Sequence, residues 1–154
     1  MSEIAEFVNG SLPASRTNIM ALESAMRSMD GQLNGDDLVC HYFSPGVYVR
    51  QMDIVAGTIV VGKIHKHDHM VVLTKGSVKI STEFTSEVIT APRVWTCPAG
   101  SKRAIYAIED AQWLNIHENP SNTKDLDEIE GNVIAEDYES YDKNKHKRVS
   151  TWHS

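Results

Sequence analysis

Apolar positions in this chain come in short bursts. Between Leu38 and Glu118 the runs LVCHYF, VYVRQMDIV, TIVVGKI, MVVLTKG, SVKISTEF, VWTC, RAIYAI and AQWLNIH follow one another, parted by Gly, Pro and Asp. They are rich in β-branched and aromatic residues, which suit a pleated, half-buried surface. About eight strands with no helices between them predict an all-β sandwich, jelly roll or small barrel and argue against a parallel α/β sheet. Two flanking segments carry a different period. From Ser15 to Asp30, Ile19, Leu22, Met26 and Met29 recur at three- and four-residue spacing and Gly31 follows as a stop, which predicts an amphipathic helix over about 15–30. Its stripe is expected to cover a sheet edge or a neighbouring subunit. After Asn119, Leu126, Ile129 and Val133 mark a short second helix beginning near Asn122 or Thr123. The closing stretch turns from acidic (Glu136, Asp137, Glu139, Asp142) to basic (Lys143, Lys145, Lys147, Arg148) and is expected to be mobile unless a partner chain holds it. The organisation predicted is therefore an N-terminal segment over 1–37, a β-domain over 38–118, and a helix with a charged tail over 119–154.

Composition narrows the function classes. A chain of 154 residues accommodates one ordinary domain. Its formal charge of -6 makes nucleic acid and anionic lipid poor partners. No apolar run reaches the length of a membrane span, and the polar opening MSEIAEFVNGS does not resemble a secretory leader. The two distant cysteines, Cys40 and Cys97, are expected to be reduced, in a cytoplasmic setting.

The chemistry concentrates in His65-Lys66-His67-Asp68-His69. Alternation on a strand puts three imidazoles on one face, and neutral ring nitrogens are the commonest protein ligands for divalent transition metals. On a straight strand the outer two lie about 13 Å apart, so they meet at one ion only if the chain bends between them. The competing reading is a strand end bearing solvated histidines. Further along, Trp113, Asn115 and His117 share one face of their strand and Leu114 and Ile116 the other, with either face a candidate for the interior. A strand-end role for His117 competes with ligation. No nucleophile stands beside a base; Ser101 and Cys97 read as turn and core residues. A general acid-base role would fall to His65 or His69, with Tyr106 as second proton carrier.

The segment resembles the first motif of the cupin family, in which a glycine precedes His-x-His, a glutamate and a second glycine. Gly57 and Gly76 stand at the two ends; Lys63 replaces the first histidine, His65 matches the second, and His69 stands where the glutamate would be. The second motif is matched at Pro98 and Gly100, while its remaining positions read Pro92, Arg103 and Ala107. More closely, GVYVRQMDIVAGTIVVGKIHKHDH, CPAGSKRAIYAIEDAQWLNIH and NTKDLDEIE are similar to small cupin-like proteins encoded in tailed-phage genomes. The resemblance implies a single cupin jelly-roll barrel that forms homodimers or higher homo-oligomers, with phage structural proteins as further partners, in the cytoplasm of an infected bacterium or on the virion. It implies no particular reaction.

A typical cupin holds its metal with three histidines and a carboxylate, so the resemblance makes a divalent Zn, Fe, Ni or Mn the expected cofactor here. The matching Lys63 and Arg103 would oppose a metal, because a unit charge 4 Å from another costs about 4 kcal/mol at an effective dielectric of 20 and a divalent ion doubles it. A metal site here calls on His65, His69, His67 and His117. Without a metal, Arg103, Lys63, Tyr106 and Trp113 become a cationic, ring-lined anion pocket, unless Arg103 and Lys63 pair with acids such as Glu83 or Glu109. The sequence thus predicts a degenerate cupin site that binds a small molecule or anion, or serves virion assembly. The alternative is a metal-dependent enzyme acting on a small anionic or sugar-like substrate through His65 and His69.

Overall fold

The computed structural model describes residues 2–29 and 38–144. Two antiparallel sheets face each other. One contains β1 (Val39–Ser44), β2 (Gly46–Ile54), β10 (Ala111–Asn119), β5 (His69–Lys75) and β8 (Arg93–Cys97), in that spatial order. The other runs β3 (Ile59–Val61), β9 (Ala104–Ala107), β6 (Ser77–Ser81) and β7 (Ser86–Thr90). The chain switches sheets between β2 and β3, between β5 and β6, between β7 and β8, between β8 and β9, and between β9 and β10, which closes the pair into a jelly-roll barrel. A short pair of β4 (Ile64–His65) with β11 (Ile134–Ala135) lies beside them. The expected all-β jelly roll is the fold observed. Two strands were not legible in advance: β7, whose SEVIT alternates with only Ile89 buried, and the two-residue β11.

Alternation produces the core. Met52, Ile54, Val71, Leu73 and Trp113 point inward from one sheet to meet Val78, Ile80, Ile89, Ile105 and Ala107 from the other. Gly76 makes the β5–β6 turn at φ 85°, and a Cβ there would lie 2.3 Å from the Asp110 carbonyl oxygen, so backbone contact as well as the left-handed conformation demands glycine.

The N-terminal segment holds two helices: α1 (Glu3–Asn9), absent from the sequence expectation, and α2 (Arg16–Arg27), capped by Ser15. Ile19 and Leu22 of α2 pack with Phe7, Leu12 and Ala104, with Ile59 and Val61 at the margin. The apolar stripe therefore covers the chain's own four-stranded sheet. Met29 remains 52% exposed, and Asp30 and Gly31 lie outside the described residues.

The second predicted helix, α3 (Leu126–Val133), starts later than the expected Asn122 or Thr123, because Asp125 accepts from the amides of Asp127 and Glu128 and caps it. A further helix spans the described residues 138–144, in a stretch expected to be mobile. It is fastened to α2 where Arg16 donates to Asp142 at 2.9 Å and lies over the Tyr138 ring at 4.2 Å. Lys143, first of the basic residues of the tail, pairs with Glu139 at 2.9 Å, and residues 145–154, with Lys145, Lys147 and Arg148, lie outside the described region.

Candidate functional site

Three histidines meet inside the barrel. β4 ends at His65, the chain bends at 66–67, and β5 begins at His69 in another sheet, so the bend demanded by the spacing exists. The two rings stack with centroids 4.3 Å apart. His117 projects inward from β10, with Trp113 and Asn115 on the same face, which settles the orientation left open above. Its ring centroid lies 4.6 Å from His69 and 5.6 Å from His65. One ring nitrogen from each of the three lies within 4.8 Å of the others, and all three residues are buried.

Local backbone contacts set His65. Its N–H donates to Ser101 at 3.1 Å and its carbonyl accepts from Gly100 at 2.7 Å. On the other side Ile134 pairs with it across β4–β11, and the amide of Lys66 donates to Val133. Gly100 adopts φ 86°, and a Cβ there would fall 2.8 Å from the Tyr141 ring, so this turn also requires glycine. Asp68 accepts from the Ala99 amide at 2.7 Å, tying the His-rich bend to the same loop.

Arg103 enters the cluster at the start of β9, its carbonyl accepting from Gly62 at 2.8 Å. Its side chain is buried over the Trp113 ring at 4.9 Å. Nη2 donates to Asn115 Oδ1 at 2.9 Å, and Nη1 lies 3.3 Å from His69 Nε2. Asn115 Oδ1 also accepts from the Trp113 indole at 3.1 Å and sits 3.1 Å from His69 Nε2. Arg103 and Trp113 can only donate, so Asn115 Oδ1 is the acceptor they share.

Electrostatics keep the cluster neutral. Burial, followed by the Arg103 charge, holds His65 well below the usual imidazole range and His69 down to about 4. Burial, then His69 and Arg103, takes His117 to about 3. At neutral pH these rings are therefore unprotonated, the form that ligates metals. Nδ1 of His65 and of His69 is buried without a hydrogen-bond partner among the described residues.

The donor set fits a divalent transition metal. Bonds of roughly 2.0–2.1 Å put tetrahedral ligand atoms about 3.4 Å apart, so the rings would close by about an ångström. Arg103 is the opposing element.

The other residues picked out in the sequence sit elsewhere. Lys63 is exposed and pairs with Glu130 of α3. His67 bonds the Asn132 carbonyl at 3.1 Å, because the bend turns it away from its neighbours toward α3. Tyr106 packs against the α1–α2 cluster. The acids weighed as partners for Arg103 do not reach it: Glu83 pairs with Arg16 at 2.6 Å, and among the described residues Arg103 makes no ion pair. A cleft of about 450 Å³ between α2 and the α3 arm includes Lys63, Glu130 and Tyr138 but none of the three histidines.

Sequence reasoning missed His41, Tyr48, Arg50 and Asn115. Tyr48 stacks on His117 at 6.0 Å and its hydroxyl meets His41 Nδ1 at 2.7 Å, extending the rings outward to β1. Burial raises the Tyr48 phenol above its ordinary value. The available signal was alternation, since Tyr48, Arg50 and Met52 share the inner face of β2 with the core residue Ile54.

No family model and no curated protein matches the chain. Among solved structures, a cupin superfamily protein from Desulfitobacterium hafniense is 17% identical over 58% of this chain and 83% of that one, with a TM-score of 0.45. KdgF from Halomonas sp. is 12% identical over 65% of this chain and 94% of that one, TM-score 0.47. A putative ethanolamine utilization protein, EutQ, from Salmonella typhimurium is 12% identical over 57% and 76%, TM-score 0.46. The solved structures to which this chain is similar thus include cupin superfamily and cupin-2 domain proteins.

Proposed function

We propose that this protein binds a small anion inside its barrel at a three-histidine metal centre, with Arg103 as the counter-charge. The observation that carries the reading is the convergence of three neutral, buried imidazoles beside a guanidinium that pairs with no carboxylate among the described residues. His65, His69 and His117 would hold the ion, which when bound supplies a Lewis acid that holds and polarises an oxygen ligand. Arg103 presents a planar fork suited to a carboxylate. An anion lying against both resolves the repulsion between guanidinium and metal, so each makes the other's presence more favourable. Trp113 and Asn115 fix the guanidinium in place.

Binding suits these residues better than proton transfer. Rings held at about 3 and 4 carry no proton to give at neutral pH, and Tyr48 stays protonated. The test is metal analysis of the purified protein. One equivalent of Zn, Fe, Ni or Mn, lost when His65 and His69 are changed together to Ala, supports the reading. Protein that takes up no metal on dialysis against these ions, with its histidine NMR signals unmoved, overturns it.

A second reading, assembly through the barrel wall, is favoured by the outer face of the five-stranded sheet. Tyr42, Val49, Ile116 and Met70 lie in register across four strands, with Leu114, Val72 and Val94 in the adjoining row. Tyr42 is 51% and Val94 61% exposed. A homo-oligomer built on this face would bury it, and association with phage structural proteins is the wider form of the same proposal. Sedimentation of the wild type and of Val94→Glu tests it. A wild type that is monomeric at high micromolar concentration ends the homo-oligomer version.

A further inference from the structure

A second guanidinium faces the same interior. Arg50 occupies the inner face of β2, between Tyr48 and Met52, and stands opposite Asn115 of β10 and His41 of β1. Asn115 is the residue that accepts from Arg103, so one residue has Arg103 on its side chain and Arg50 as its cross-strand neighbour. Arg50 is half-buried, its Nη1 donates to Met52 Sδ at 3.5 Å, and among the described residues it makes no ion pair. Its charge reaches Tyr48, His117 and Arg103. Two like charges in one barrel, without a carboxylate to separate them, repel each other across a medium where unit charges interact far more strongly than in water. A chain that keeps both gains by placing negative charge between them.

We propose that Arg50 and Arg103 form a two-guanidinium clamp and that the ligand of this barrel is a small dianion. The inference rests on the anion-binding reading above and adds the charge of the ligand and the residue that selects it. A monoanion satisfies Arg103 alone and leaves Arg50 uncompensated. A dianion engages both, with one group against Arg103, Asn115 and the histidines and the other toward Arg50 and the Tyr48–His41 pair. Lys63, which pairs with Glu130, takes no part. A short dicarboxylate and a phosphate share the required chemistry.

The test is calorimetric titration of the metal-loaded full-length protein with malonate, inorganic phosphate and acetate. Wild type should bind malonate or phosphate at least tenfold more tightly than acetate, and the stronger of the two names the source of the double charge. Arg50→Gln should bring that preference below twofold while leaving acetate binding unchanged. Arg50→Lys, which keeps a charge but not the fork, should fall between them, and its native circular dichroism guards against a folding defect. Equal affinity for all three anions in wild type, or an undiminished preference in Arg50→Gln, overturns the clamp and leaves the metal reading intact. Failure of wild type to bind any of the three overturns both the clamp and the anion part of the proposed function.

Discussion

Acid should unfold this protein by way of the three interior histidines. In the unfolded chain each imidazole titrates near 6.5, whereas in the fold His69 is held down to about 4, His117 to about 3 and His65 well below its ordinary value. The unfolded state therefore binds more protons below pH 6.5, and stability must fall as the pH falls. Above pH 7 both states are neutral and there is no effect; the loss grows until the folded-state values are reached, near pH 3 to 4. Between pH 7 and pH 5 one such ring costs about 2 kcal/mol, since the unfolded form moves from mostly neutral to almost fully protonated while the folded form stays neutral. His69 and His117 together cost about 4 kcal/mol, and His65 adds to the loss in the same direction, a large part of the stability of a domain this size. Urea unfolding of chelator-treated protein at pH 7, 6 and 5 reads the effect, and His69→Gln should lower the slope by about one third. A stability that stays flat from pH 7 to 5, or three interior imidazole NMR signals that titrate near 6.5, would refute the picture of a buried, neutral cluster.

Other consequences can be read from single side chains. Gly100→Ala should destabilise by about 1–3 kcal/mol, through the positive φ and the collision with Tyr141, and thermal melts check it. Because the same turn holds His65, that variant should also bind metal more weakly than wild type in a competition titration. Arg103→Met should raise metal affinity, by tenfold or more, while removing anion binding; unchanged affinity for both would contradict the opposition of charges described above. Lys102 makes a nearly buried pair with Glu23 at 2.8 Å, and Lys102→Met should cost about 3 kcal/mol in urea unfolding, with Glu23→Gln in the same background restoring part of it.

What the sequence revealed depended on the range over which each signal acts. Strand runs and the α2 stripe are local periodicities and were legible, as was the need for a bend between His65 and His69, because strand geometry forbids their meeting otherwise. The convergence of His117 with them was only one of two readings, since alternation defines a face without saying which face is inside; Trp113, fully buried, decides it in the fold. Lys63 and Arg103 had the same apparent standing in the motif. They parted because Glu130, 67 residues away, draws Lys63 to the surface, while Asn115 and Trp113 hold Arg103 in the core. Arg50 and Tyr48 went unnoticed because a charged or phenolic residue in an alternating strand looks like a solvent-facing position until its partner strands are known.

The β4–β11 pairing ties the barrel's interior to a part of the chain made late. His65 leaves the ordinary sheets and is hydrogen-bonded on one flank by the Gly100–Ser101 turn and on the other by Ile134. During synthesis the strands bearing all three imidazoles emerge before residue 134 does. A barrel in which that pairing has not yet formed has its three imidazoles without their final alignment, so a metal at the proposed site would be gripped fully only once this arm has zipped into place.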